Sequence, residues 1–344
     1  MLTKNRYNLQ DFSIEEITVT YNEIEVSIMN YGATVTSFKV PNKEGQLENI
    51  VLSYKNIEDY INNESFLNAI IGPTSGRIKD GKIIINGKLI ELDQNFLGRH
   101  NLHGGKECYA YQIFQLEAKE YPDYTEVICS LSIKDQDSYF PGNKVIHISY
   151  IIEPNKMTIK FDAMSDQDTY LNLTSHLYFN LTGEKSDITN HYLMIDSNKI
   201  MDLDDDFIPY QIIDTKNISL EMATPVQIRN LLTEELISSK TKGIDHPFVL
   251  NKNQKIDASL YDPFTKRLLE IKTTYPVIVC YTHNYPLKKY FTNNTINIPY
   301  QGVCFETQYA PNSEVFESLE NPLLKANERY HHETSYTFSI KKES

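Results

Sequence analysis

The sequence predicts an all-β fold, a sandwich or barrel, from three observations. Hydrophobic residues recur at every second position in short runs, turn-forming residues separate the runs, and helical spacing is scarce. Ile17, Val19 and Tyr21 alternate with polar residues, and Ile24, Val26 and Ile28 repeat the pattern. Ala33, Val35 and Ser37 lead through Phe38 and Val40 to a turn at Pro41-Asn42-Lys43-Glu44-Gly45. Residues 82–90 read as a hairpin, because Asn86-Gly87 tolerates the positive φ angles of a tight type I′ turn. Ile146, Ile148, Tyr150 and Ile152 alternate up to a turn at Glu153-Pro154-Asn155-Lys156, and a strand from Met157 to Ala163 follows. Pro247–Leu250, Leu268–Thr273 and Pro276–Tyr281 extend the series. One or two helical turns are expected near Ile57–Asn62 and Leu231–Ser238. No Gly/Ser-rich or Pro-rich linker divides the chain, so residues 1–344 are expected to form one domain.

Composition narrows the function. The formal net charge is −13, which repels phosphate backbones and anionic lipid and leaves a neutral small molecule as the best-fitting partner, with nucleic acid and membrane excluded. Cys108, Cys129, Cys280 and Cys304 form no CxxC pair and sit among apolar neighbours, which predicts reduced core thiols. No apolar run resembles a signal peptide or reaches bilayer-spanning length, so a cytoplasmic protein is expected, as a monomer or homodimer. Trp is absent and Tyr numbers 24, so any aromatic platform must be Tyr or Phe. Asp204-Asp205-Asp206 lacks the spaced ligands of a calcium loop and reads as a solvated turn. His331-His332-Glu333 reads as part of a terminal surface strand.

Residues 171–181 carry the strongest functional signal. Leu171, Leu173, Leu177, Phe179 and Leu181 occupy odd positions, with Ser175 among them. Asn172, Thr174, His176, Tyr178 and Asn180 occupy the even ones. In a strand the two sets face opposite sides, one apolar and one polar but uncharged. The second set suits a neutral polyol, although a polar edge or buried network reads equally well from periodicity alone. In residues 302–308, Val303 and Phe305 face one way, and Glu306 and Gln308 the other. If buried, Glu306 becomes a stronger base. Three further segments stand out: Gly72-Pro73-Thr74-Ser75-Gly76-Arg77, Asn101-Leu102-His103-Gly104-Gly105 and Gly243-Ile244-Asp245-His246-Pro247, the last with Asp245 in an expected turn.

Taken together and in order, Gly76-Arg77-Ile78, residues 101–105, Tyr139-Phe140-Pro141-Gly142-Asn143, residues 172–181, Gly243-Ile244-Asp245-His246 and Phe305-Glu306-Thr307-Gln308 resemble the aldose 1-epimerase, or galactose mutarotase, family. The resemblance implies a large antiparallel β-sandwich, a supersandwich, with an open cleft for a monosaccharide and no cofactor or metal. It implies that His176 is the general acid and Glu306 the general base. It assigns Arg77, His103 and Asp245 to sugar hydroxyls and the ring oxygen, and Tyr178 to the segment lining the sugar. Gly76 stands where many members have Asn, beside the binding arginine. Ser175 also replaces a frequent Asn, Pro73 a frequent Arg, and Val279 a substrate-contacting Gln.

Mutarotation opens a hemiacetal ring and closes it on the other face of C1. One group must remove the C1 hydroxyl proton while another protonates the ring oxygen. A carboxylate and a histidine suit these tasks near neutrality. Three rival readings have distinct requirements. A hexose-phosphate epimerase needs a cationic cluster. A glycoside hydrolase using Asp245 and Glu306 needs two suitably separated carboxylates. A sugar-binding module would be marked by loss of His176 or Glu306, and both are present. A zinc site from His103, His176 and Glu306 has no compact ligand spacing in its support.

Overall fold

The computed structural model describes residues 1–341 except 10, 11, 22, 184 and 296. The alternating segments fold as antiparallel strands in three main sheets. A five-stranded meander holds Leu2–Asn8, Ser13–Tyr21, Ile24–Met29, Val35–Pro41 and Leu47–Asn49 in sequence order. A nine-stranded sheet runs Gln115–Glu120, Thr125–Ile133, Lys144–Glu153, Lys156–Ser165, Arg329–Ile340, Arg267–Thr273, Ala258–Tyr261, Tyr192–Ile195 and Val226–Gln227. A six-stranded sheet runs Tyr178–Phe179, Val303–Gln308, Val277–Tyr281, Asp245–Val249, Lys199–Leu203 and Pro209–Asp214. This is the large antiparallel β-sandwich expected.

Period-two patterning becomes a one-sided core. Along Lys144–Glu153 the residues Ile146, Ile148, Tyr150 and Ile152 are buried, while Val145 and His147 are exposed. The inward face of the nine-stranded sheet shares one apolar cluster with both smaller sheets. Val26 and Phe38 enter it from the meander, and Phe248, Ile278 and Phe305 enter it from the six-stranded sheet. Phe38 meets Phe338 edge-on with ring centres 4.8 Å apart. Each such buried side chain contributes roughly 1.5–3 kcal/mol relative to exposure.

The hairpin forms as expected, with Lys82–Ile85 pairing Lys88–Glu91 across Asn86 and Gly87, both at positive φ. The helical stretches shrink to a 3₁₀ turn at Ile57–Tyr60 and helices at Ile228–Leu231 and Glu234–Ser238. All four cysteines are buried and unpaired. The strand carrying His331 and His332 is the last in the chain and leaves His331 exposed, but it is not at a sheet edge. It lies inside the nine-stranded sheet, and His332 stacks on Tyr275 with ring centres 3.9 Å apart. Among the described residues no helix is long and apolar enough to cross a membrane.

A buried arginine ties the meander to the rest. Arg267 Nε donates to the Pro41 carbonyl at 3.0 Å and Nη1 to the Leu181 carbonyl at 2.9 Å. Its Nη2 pairs with Glu48 at 2.8 Å. Removing a buried charge strands its partners without compensation. Arg267→Met is therefore expected to lower unfolding free energy by about 3–5 kcal/mol in urea titration. A change under about 0.5 kcal/mol, the usual range for surface substitutions, would contradict this role.

Candidate active site

Strand Val303–Gln308 forms the floor of the site. Phe305 points into the core cluster, and Thr307 reaches Thr334 in the nine-stranded sheet at 2.6 Å. Cys304, Glu306 and Gln308 therefore share the opposite face. Glu306 is opposite Val279 on the neighbouring strand, and Val279 is opposite Pro247 on the next. Despite lying in a strand, Glu306 is only 5% exposed.

The segment expected as one strand from Leu171 to Leu181 is broken into pieces. Thr169–Tyr170, Thr174–Ser175 and Tyr178–Phe179 belong to three different sheets. The apolar set still enters the core, but the polar set is buried too. The break follows from a change of partner. Thr174 and Ser175 pair with Ile71 and Ile70, whereas Tyr178 pairs with Cys304. His176 sits at the handover, its N–H donating to the Ala69 carbonyl at 3.0 Å.

Asn68 organises that handover, and no sequence pattern marked it. Its N–H donates to the His176 carbonyl at 3.1 Å. Its side chain accepts the Tyr178 N–H at 3.0 Å and donates to the Leu52 carbonyl at 2.6 Å. It is fully buried at a φ of 57°, a conformation Asn tolerates better than most residues.

His103 and Gly76 hold each other. The His103 N–H donates to the Gly76 carbonyl at 3.0 Å, and the Gly76 N–H donates to His103 Nδ1 at 3.2 Å. A side chain at Gly76, which has a φ of 76°, would put its Cβ 2.5 Å from Pro311 Cβ. At Gly104, with a φ of 83°, a Cβ would lie 2.6 Å from Pro73 Cδ. The glycines thus allow the close approach that seats His103.

Arg77 is gripped from three sides. Its guanidinium lies 4.9 Å from the Phe96 ring centre and 5.2 Å from that of Phe207. One nitrogen lies 3.6 Å from Asp245 Oδ2. Asp245 begins strand Asp245–Val249, not a turn as expected. The chain pairs there because Asp245 falls opposite Tyr281. The acidic run 204–206 does form a turn, but Asp206 is not simply solvated: it pairs with Arg99 and approaches His100 Nε2 at 3.4 Å.

All seven sequence-predicted residues line one cavity of about 460 Å³: Gly76, Arg77, His103, His176, Tyr178, Asp245 and Glu306. At its centre His176 Nε2 lies 3.4 Å from Glu306 Oε1. The Tyr178 ring packs 5.0 Å from the His176 ring, and its hydroxyl donates to the Ser65 carbonyl at 3.0 Å. Phe66, Phe96, Phe207 and Tyr281 also line the cavity, and sequence reasoning did not single them out. Phe66, Phe96 and Phe207 lie outside the regular strands and carry no periodic signal, while Tyr281 ends strand Val277–Tyr281.

Burial sets the electrostatics. It pushes Glu306 up to about 8, with Asp245 raising it further and Arg77 opposing. It pushes His176 down to about 3. His103 also falls well below the usual range, through burial and then the nearby His176 and Arg77.

The candidate metal ligands of His103, His176 and Glu306 lie within 4.8 Å of one another, a proximity that sequence spacing concealed. The hydrogen bond behind His103 works against a metal. A backbone N–H can only donate, so His103 Nδ1 is the acceptor and the neutral ring carries its hydrogen on Nε2. That nitrogen has no lone pair for a cation unless the Gly76 bond breaks.

Sandwich, cavity and acid–base pair together describe an enzyme built to handle a small polar molecule. A family model described as aldose 1-epimerase matches residues 15–337, and the chain belongs to that family of enzymes. It is 30% identical over 351 residues to an aldose 1-epimerase from Haemophilus influenzae, covering 98% of this chain and 100% of the relative. It is 27% identical over 341 residues to the galactose mutarotase of Sus scrofa, covering 95% of each. Among solved structures, an aldose epimerase homologue from C. elegans superposes with a TM-score of 0.87 at 21% identity, covering 99% of this chain and all of the other. A galactose 1-epimerase from Lactobacillus acidophilus gives 0.85 at 23% identity, covering 98% of each. At these identities the two structures speak for the fold.

Asn68→Ala removes two buried side-chain hydrogen bonds around His176. Unfolding free energy is expected to fall by about 2–4 kcal/mol in urea titration, and a loss under about 1 kcal/mol would contradict its organising role.

Proposed function

We propose that the cavity binds a free hexose, such as D-galactose or D-glucose, and interconverts its α and β anomers. The observation that carries this is a buried carboxyl and imidazole 3.4 Å apart in a cavity large enough for a monosaccharide. The proton held by Glu306 first passes to His176 Nε2. Glu306 then takes the C1 hydroxyl proton, the C1–ring-oxygen bond breaks, and the electron pair of that bond moves to the ring oxygen. His176 Nε2 supplies the proton there, leaving an open-chain aldehyde. After rotation about C1–C2 the same two groups run the step in reverse, and no cofactor is consumed. Arg77, His103 and Asp245 hold the hydroxyls, with Gly76 giving Arg77 its place. Tyr178 buttresses His176.

Cavity charge favours an unphosphorylated sugar. Arg77 is the only Lys or Arg among the described residues lining it, and it already faces Asp245, while Glu64, Asp245 and Glu306 bring three carboxyl groups. A phosphate would meet net repulsion.

Polarimetry on freshly dissolved α-D-galactose and α-D-glucose tests the activity. The protein is expected to speed the approach to the same final rotation. His176→Asn and Glu306→Gln are each expected to lower kcat ~10²–10⁴-fold, the usual worth of a positioned acid or base. Near-native turnover in either variant, with the fold intact, would remove that residue from its role.

The pH profile follows from the directions of the two shifts. With His176 pushed down to about 3 and Glu306 up to about 8, the pair keeps one exchangeable proton between those limits. One proton shared by two groups supplies one acid and one base. Above the upper limit that proton leaves and the acid is lost. Below the lower one a second proton binds and the base is lost. The kcat/KM for mutarotation is therefore expected to be level through the weakly acidic and neutral range and to fall as pH rises through about 8. A profile that climbs through that region would contradict the shared-proton account.

A further inference from the structure

The two cavity histidines differ in what lies behind them. His103 Nδ1 receives a backbone N–H from Gly76 at 3.2 Å. His176 Nδ1 instead meets Cys304 Sγ at 3.3 Å. Cys304 lies two residues before Glu306 on the same strand face, so one strand touches both nitrogens of the His176 ring: Cys304 at Nδ1 and Glu306 at Nε2.

We propose that the two histidines are locked in opposite tautomers, and that Cys304 is the positioning residue that locks His176 by accepting its Nδ1–H on sulfur. The inference rests on the mutarotase reading of the site. His103 then presents a fixed Nε2–H to the cavity, a donor to a sugar oxygen that cannot take up a proton at that atom. His176 presents an Nε2 lone pair to Glu306. That nitrogen can receive the Glu306 proton, pass it to the ring oxygen and take it back, always returning to the same neutral tautomer. With Nδ1 unprotonated, giving up the Nε2 proton would leave an imidazolate, which is inaccessible near neutrality.

The thiol suits the task because it is a weak acceptor. A carboxylate in the same place would hold the ring in its charged form and blunt it as an acid. Cys304 is fully buried, and burial, then the nearby Glu306, keeps the thiol protonated. The different contacts behind the two rings thus give a physical ground for their different roles.

Nitrogen-15 NMR of histidine-labelled protein, with His103 and His176 assigned through His103→Asn and His176→Asn, tests this in the wild-type chain. Near neutral pH, His103 should show a pyridine-type Nδ1 and a pyrrole-type Nε2, and His176 the reverse. The same tautomer at both would overturn the proposal. Cys304→Ala should populate both His176 tautomers and lower kcat on the order of tenfold with KM within about twofold, a fraction of what loss of the acid itself costs. Cys304→Ser, whose hydroxyl can accept in the same place, should restore kcat to within about threefold. An alanine variant with kcat within about twofold of wild type would also overturn it. If His176→Asn itself keeps full activity, the functional reading fails. If that variant is inactive while the tautomers match, only this inference fails.

Discussion

Burying His176 and Glu306 side by side is the constraint on which the rest of the architecture turns. Neither group carries charge comfortably out of water, so the pair resists holding two protons or none. That reluctance is a stability burden, and the surroundings offset it. The His176 backbone is fixed to Ala69 and Asn68. Glu306 sits inside a fully buried strand, with Arg77 partly compensating its charge. The sandwich has the rigidity to enforce such a placement because its inward faces share one apolar cluster.

The arrangement also explains why so many elements contribute to one cavity. Glu306, Val279 and Pro247 lie in cross-strand register on the six-stranded sheet. His176 comes from a segment that changes partner twice within a few residues. Arg77 and His103 come from paired short strands and a glycine-assisted turn, with Arg77 opposite Leu102. No local stretch could present the proposed acid, base and hydroxyl-binding groups together. Closure of the sandwich brings residues over two hundred positions apart, such as Arg77 and Glu306, to one wall.

Much of this was legible in the sequence, and the failures have physical causes. Period-two alternation gave the strands around Ile146 and Met157 because one sheet face is buried and the other exposed. It misread residues 171–181 as one strand, since alternation records which side a residue faces and not which partner its backbone holds. The segment Gly243–Pro247 reads as a turn around Asp245, yet the pairing of Asp245 with Tyr281 is a tertiary contact. The cavity residues were reached through motif order and resemblance. Asn68, Cys304, Phe96 and Phe207 were missed because their roles depend on contacts with distant segments and leave no spacing to read. The acidity of the whole chain has a local counterpart, since Glu64, Asp245 and Glu306 all line the cavity.

A crystal structure of the Glu306→Gln variant soaked with D-galactose would test the central claim most directly, because it would show where the reacting atoms lie. The account predicts the C1 hydroxyl against residue 306 and the ring oxygen within hydrogen-bond reach of His176 Nε2, with other hydroxyls on Arg77 and Asp245. A sugar bound with its anomeric carbon toward the cavity mouth, away from both residues, would contradict it.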